Sequence, residues 1–354
     1  VGSTVPVSLT WEKSTTYDLG LDLDFLNNRL SFSGDYYRRY TTDMYTPSIS
    51  LPSVYGTTSP KGNNAELRTT GWELSLTWRD SFKLGGKPFD YSIKAMVWDN
   101  RTVVTKYENA TRSLGTLKGY IQNGGSPSDF YEGMELGEMW GYTVAGLFRD
   151  QADIDAWPKQ SFGDVEPGDI KYLDLNGDGV VDSYDVKPIG YTAIPEIVYG
   201  FGFSLQWKAF DFSAFFQGVG HVNFSTRTDQ TQGFIARNSR EANLFSDVYD
   251  NYWTPERLDA KYPRLFIGTN NNNNQNSSFW MANGRYMRLK NLEIGYTLPK
   301  HISQKMAMQN MRVYLSGVNL FTFSPFKLWD PDLQTGATNY PNNRIINIGL
   351  TIGF

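Results

Sequence analysis

The stretch Tyr199–Trp207 reads YGFGFSLQW, and its large apolar residues fall at every second position: Tyr199, Phe201, Phe203, Leu205 and Trp207. Side chains along an extended strand point alternately to opposite faces. This spacing therefore gives one face to an apolar medium and the other to water. The alternation recurs at Leu19–Phe25, Arg29–Tyr45, Trp72–Trp78, Tyr91–Val97 and Asp211–Gly220. It returns in Arg285–Leu298, Arg312–Phe323 and Arg344–Phe354. About nine strands result, antiparallel by their short connections.

Composition narrows the class. Aromatic residues make up 15% of the chain, Gly contributes 33 residues, and cysteine is absent. That profile suits β structure, and it excludes disulfide frameworks and cysteine–metal sites. A formal net charge of −4 offers no basic field for nucleic acid. The two histidines, His221 and His301, are far apart in sequence and read as surface or packing residues. Mean hydropathy is −0.45, and no apolar run approaches the roughly 18 residues of a membrane helix. A membrane barrel is untouched by that argument, because its alternating strands hide their apolar face in any average.

The connections decide between a sandwich and a barrel. One set is short: LNNR, SFKLGGKP, WKAFD and PKHISQKMAMQN. The other is long: residues 46–63, 106–197, 223–284 and 324–343. Short and long alternate strictly, which places every long loop at one end. An outer-membrane barrel is built this way, with short periplasmic turns and long external loops. Aromatics also bracket the apolar face, as in Tyr199 with Trp207 and Trp72 with Trp78. The first pair spans roughly 26 Å of strand, the scale of the apolar band between two aromatic girdles. In the last strand Ile346, Ile348, Leu350, Ile352 and Phe354 share one face. A terminal aromatic on such a strand resembles the recognition signal of the bacterial barrel-assembly machinery. The start, VGSTVPVSLTWEK, has neither an initiator Met nor a signal-peptide pattern, so the chain is expected to begin inside a longer polypeptide.

Within the long loops, DQADIDAW predicts a short helix, and TNNNNNQNSS (Thr269–Ser278) reads as a low-complexity, mobile segment. Glu135 and Glu138 have the look of a glycosidase pair, but a solvated loop explains them better. No nucleophile–base motif and no phosphate-binding Gly loop is present, so an enzyme is not expected. Tyr131, Trp140, Trp157, Trp253, Trp280 and Trp329 could stack on sugar rings or simply pack within the loops.

DLNGDGVVDSYD (Asp174–Asp185) has calcium-loop spacing. Asp174, Asn176 and Asp178 take positions 1, 3 and 5, and Gly179 takes position 6, where the chain turns sharply. Val180 supplies a backbone carbonyl at position 7; Asp182 and Asp185 stand at positions 9 and 12. Hard carboxylate oxygens suit Ca²⁺. A sensor loop ends on Glu, and the shorter Asp185 resembles structural loops such as those of dockerins. Gly168 and Pro188 bracket the segment in place of a helix pair, so a structural brace is expected rather than a switch. The alternative is a cluster of Asx turns without metal.

Several stretches together resemble the SusC/RagA-like TonB-dependent transporters of Bacteroidetes. They are WEKSTTYDLGLDLDFLNNRLSFSGDYYRRYTTDM, NAELRTTGWELSLTWRD, GDIKYLDLNGDGVVDSYDVKPIG, YGFGFSLQWKAFDFSAFFQGVG, YMRLKNLEIGYTLP, VYLSGVNLFTFSPF and the terminal IGLTIGF. The resemblance implies an all-β, antiparallel transmembrane barrel in the bacterial outer membrane. This chain would be the C-terminal part of a barrel of roughly 22 strands, with the plug domain absent from it. It further implies contact with outer-membrane lipid, energy from TonB and a SusD-like surface lipoprotein as lid. Oligosaccharides are the commonest cargo so implied, and peptides the main variant. A secreted calcium-binding β-sandwich or adhesin is the competing reading.

Overall fold

Alternation this regular commits each strand to one register, because a slip of one residue would exchange the two faces. The computed structural model describes residues 9–47, 61–107, 130–232 and 243–354. Its main sheet has nine strands in chain order, every neighbour antiparallel. They are β1 (Lys13–Phe25), β2 (Leu30–Pro47), β3 (Lys61–Leu84), β4 (Lys87–Tyr107), β5 (Ile197–Trp207), β6 (Phe210–Gly220), β7 (Tyr286–Thr297), β8 (Asn310–Phe323) and β9 (Ile345–Gly353). The sheet is open, with β1 and β9 at its edges.

The two faces are chemically opposite. One row across β1–β6 reads Leu23, Phe32, Leu76, Ala95, Phe201 and Phe216. The row one residue away reads Asp22, Ser33, Ser75, Met96, Gly200 and Gln217. The apolar face continues to β9 through the pairs Ile294–Leu315 and Leu315–Ile348. It is uncovered: Leu19 is 75% exposed and Ile348 82%. A contiguous apolar face of this extent marks contact with another apolar phase. No helix among the described residues is long and apolar enough to cross a membrane, and strands carry the apolar surface instead.

An aromatic row closes the apolar face at the short-turn end: Phe82, Phe89, Trp207, Phe210 and Tyr296. Neighbouring rings there lie 4.9 Å (Phe82–Phe89) and 4.8 Å (Phe210–Tyr296) apart. Trp207 belongs to this row, but Trp78 does not, against the expectation that Trp72 and Trp78 bracket the band. β3 continues past Trp78 to Leu84, so Phe82 takes the rim position. Trp78 lies within the band and donates its indole N–H to Tyr91 Oη at 3.1 Å.

The turns explain the longer strands. Gly85 and Gly86, at φ 59° and 76°, form a two-residue hairpin turn, so SFKL and KP are strand rather than connection. At the next turn Leu26, Asn27 and Asn28 are all left-handed, at φ 54°, 57° and 64°. At the other end β2 and β3 pair as far as Pro47 and Lys61, which shortens that predicted loop to residues 48–60, outside the described residues.

Candidate functional site

The long connections do not trail into solvent. Residues 130–196 fold over the extension of β4 around an aromatic core that includes Val104, Tyr142, Ile170, Tyr172, Val181 and Trp280. The predicted helix is present as α1 (Gln151–Asp155), capped by the Asp150 side chain, which accepts from Asp153 N. Burial pushes the Tyr142 phenol up to about 12, with Asp182 and Asp185 adding to the effect. Trp280 arrives from the connection between β6 and β7, so the core joins two loops.

A polar hub locks them together. Asp169 is fully buried and accepts from Arg264 Nε at 2.8 Å, Asn270 Nδ2 at 2.8 Å and Asn273 Nδ2 at 2.9 Å. Asn273 returns an acceptor to Ile170 N at 2.8 Å, and Asn272 Nδ2 donates to Ile170 O at 2.8 Å. Three asparagines of the run, Asn270, Asn272 and Asn273, are therefore buried and hydrogen-bonded, at 6%, 1% and 3% exposure, while Asn271 and Asn276 face outward. This corrects the expectation of mobility. Short amide side chains carry both a donor and an acceptor, and here they satisfy the backbone and carboxylate of the neighbouring loop.

The calcium-type loop lies against this core. Asp174 accepts from Gly177 N at 2.6 Å and Gly179 N at 2.8 Å, and both glycines are left-handed. Asn176 accepts from Asp178 N, and Asp178 from Val180 N, each at 2.9 Å. Asp182 caps the turn Ser183–Asp185 by accepting from Tyr184 N at 2.9 Å. Asp185 is fully buried and accepts from Leu175 N at 2.7 Å and Asp182 N at 2.8 Å. Burial pushes its carboxyl above the ordinary aspartate value. The fold thus gathers all six residues into one loop. Among the described residues, however, no three His, Asp or Glu side chains converge closely enough to hold a metal ion.

Other candidates are spent on structure. Glu135 pairs with Arg101, and Glu138 accepts from Tyr131 Oη at 2.9 Å, which is not a catalytic pair. His221 stacks on Tyr191 at 4.5 Å and meets Glu196 at 3.2 Å. Of the six loop aromatics, Tyr131, Trp140, Trp253 and Trp280 are buried. Trp157 donates to Tyr172 O at 2.8 Å, and Trp329 contacts Phe224, Phe245 and Phe326. Packing accounts for all of them.

Sequence reasoning missed Arg288. It is 2% exposed on the polar face of β7 and ion-paired to Asp330 and Asp332, while Tyr286 Oη donates to Asp332 at 2.8 Å. These contacts draw the connection between β8 and β9 onto the sheet's polar face. No local signal marks them, because the partners stand 42 and 44 residues apart in sequence. At the short-turn end the same face holds a polar trough of about 730 Å³, lined by Arg29, Arg79, Asp80, Ser92, Gln206 and Asp211 among others.

The model of the family described as "TonB dependent receptor-like, beta-barrel" matches residues 2–320. The chain belongs to that family. Its members are outer-membrane β-barrels with transport rather than catalytic roles. TonB-dependent receptor P3 of Formosa agariphila is 30% identical over 365 residues, covering 98% of this chain and 34% of the relative. TonB-dependent receptor SusC of Bacteroides thetaiotaomicron is 26% identical over 366 residues, covering 98% and 32%. The solved structure of the RagAB peptide transporter aligns with a TM-score of 0.71 at 22% identity, covering 98% of this chain and 36% of that one. This chain thus spans about a third of the length of the relatives it matches. In a TonB-dependent receptor barrel the apolar face meets lipid and the polar face lines the lumen, so Arg288 and the trough belong to the lumen wall.

Proposed function

We propose that this chain forms one section of the barrel wall, with its loops, of a transporter that imports an oligomeric nutrient across the bacterial outer membrane. TonB would supply the energy, and a SusD-like lipoprotein would sit at the long-loop end. The observation that carries this reading is the two-faced sheet, apolar and uncovered on one side and polar on the other along its whole width. Further strands, in the same or a separate chain, would pair with the free edges of β1 and β9, since an open edge has no place in lipid. The ordered loops give the lipoprotein a firm surface. The competing sandwich or adhesin reading falls with family membership.

The resemblance favours oligosaccharide as cargo. The structure lends that choice less support than the loop aromatics promised, because those rings are packed inside the loops. Uptake in cells carrying the whole gene tests the import reading. A mixed oligosaccharide and peptide medium should be depleted only when TonB is intact. Equal depletion in a TonB-null strain would end the proposal.

We also propose that Asp174, Asn176, Asp178, Val180, Asp182 and Asp185 hold a structural Ca²⁺. Each carboxylate oxygen that accepts one backbone N–H keeps a second lone pair, and the left-handed Gly177 and Gly179 give the loop its sharp turn. Closure around the ion would draw the side chains inward. Its role would be to brace the loop, whose strand Val180–Val181 pairs with Lys159–Gln160.

A further inference from the structure

Between the strand Met281–Asn283 and the segment Pro325–Leu328 lies a cavity of about 630 Å³. That size is ordinary for a specific ligand pocket. Phe279, Met281 and Phe326 give it apolar lining, and Asp247, Lys261 and Lys327 its charged lining. Asp247 is already occupied, accepting from Lys261 Nζ at 2.5 Å and Tyr262 Oη at 2.6 Å. Lys327 is exposed and has no ion pair among the described residues. The pocket therefore combines apolar rings with a net positive charge.

Its backbone is the more specific feature. Met281–Asn283 pairs on one side with Asn223–Ser225. The bonds Thr226 N to Trp280 O and Gly284 N to Val222 O fix which residues face the partner strand. Hydrogen-bonded pairs alternate in an antiparallel ladder, so the backbone groups of Met281 and Asn283 point the other way. Met281 N–H closes the preceding turn on Ser278 O. That leaves Met281 C=O and the N–H and C=O of Asn283 along the edge that lines the cavity. The opposite edge of the hairpin is covered, since Asn223 N donates to Thr192 O at 3.2 Å. β8 does not cover the cavity edge. Its ladder with β7 ends at Phe323, Ser324 reaches Arg285 O only through its hydroxyl, and Pro325 has no N–H to offer.

We propose that this edge binds a short extended peptide by strand addition. The peptide would place an apolar side chain against Phe279 and Phe326 and a carboxylate near Lys327. A free strand edge beside a side-chain pocket is the arrangement that reads extended polypeptide: main-chain bonds hold it and alternate side chains select it. A sugar chain has no matching series of N–H and C=O groups. The inference names a substrate class for the import reading and rests on it.

The test uses the full-length protein in detergent and a fluorescent pentapeptide, acetyl-AVFVE-amide, read by anisotropy. Binding should weaken at least tenfold when alternate amides of the probe are N-methylated, and change little when the intervening amides are methylated. Phe326→Ala and Lys327→Gln should each weaken binding several-fold, and Lys327→Gln should also flatten its salt dependence. N-methylation without positional pattern, no binding of the peptide, or displacement by maltopentaose with wild-type strength would each overturn the proposal. TonB-dependent uptake alongside any of those results would leave the import reading standing and remove only this site.

Discussion

Replacing Asp169 by Ala should release the joined loops while leaving the sheet in place. The side chain is fully buried, and it satisfies Arg264, Asn270, Asn273 and Glu166 N at once. Removing it leaves the Arg264 guanidinium, 17% exposed, with only the exposed Glu166 carboxylate at 3.0 Å, and strands two buried amides. Breaking one partner out of a buried ion pair costs about 3–5 kcal/mol when the remaining charge is left uncompensated, and the Glu166 contact that Arg264 keeps holds this case to the lower end, about 3 kcal/mol. The stranded amides belong to the same network, so their cost overlaps with that figure rather than adding to it. Applied to local opening, it raises the open population on the order of a hundredfold. Hydrogen exchange on the whole protein in detergent reads this directly at three amides. They are Phe148 N on Asp169 O, Ile170 N on Asn273 Oδ1 and Tyr172 N on Gln160 Oε1. All three should lose protection together, with β5 and β6 amides unchanged. Asp169→Asn keeps one acceptor oxygen and should fall between. Unchanged protection in Asp169→Ala would refute the claim that this carboxylate holds the loops together.

Arg288→Met should free the connection between β8 and β9 from the lumen wall. Chymotrypsin should then cut within residues 324–343 at least tenfold faster, and an unchanged rate would count against the ion pairs to Asp330 and Asp332. The Lys261 ammonium, and after it the Tyr262 hydroxyl, hold the Asp247 carboxyl below its ordinary 3.8. A group whose folded pKa is depressed contributes stability above the unfolded value and loses it as pH falls through the folded one. Pepsin cleavage around residues 247–262 should therefore rise as pH drops below 3.8, and less so in Asp247→Asn. For the calcium proposal, elemental analysis of purified protein should find bound calcium, and Asp178→Ala should reduce both the metal and the loop's protease resistance without preventing membrane insertion. Calcium-free protein with full loop order would contradict it.

The strands were legible because alternation is a local property: YGFGFSLQW states its two faces within nine residues. Loop asymmetry was legible for the same reason, since turns such as Gly85-Gly86 and Asn27-Asn28 announce themselves. Misreadings came where a neighbouring strand or a distant partner decides. Trp78 looked like a rim residue because the extension of β3 to Leu84 is only settled by pairing with β4. The asparagine run looked mobile because its stabilising partners, Asp169, Ile170 and Gln160, lie about a hundred residues earlier. Arg288 and its carboxylates were invisible for the same reason. The turns of Asp174–Asp185 were legible because Asx turns need only near neighbours. Convergence of ligands on one point is not a local property.

The central claim is that one face of the nine-stranded sheet meets lipid and the other lines a lumen. This chain has no cysteine, so single nitroxide labels can be placed on its strands in the whole protein in bilayers, with any cysteine outside it replaced by serine. Phe203→Cys and Ile348→Cys report the apolar face, and Ser204→Cys and Asn347→Cys the polar one. The account predicts that labels at Phe203 and Ile348 relax with oxygen dissolved in lipid and resist a water-soluble nickel complex. Labels at Ser204 and Asn347 should lack that lipid signature. Water-like relaxation at Phe203 and Ile348 would contradict it.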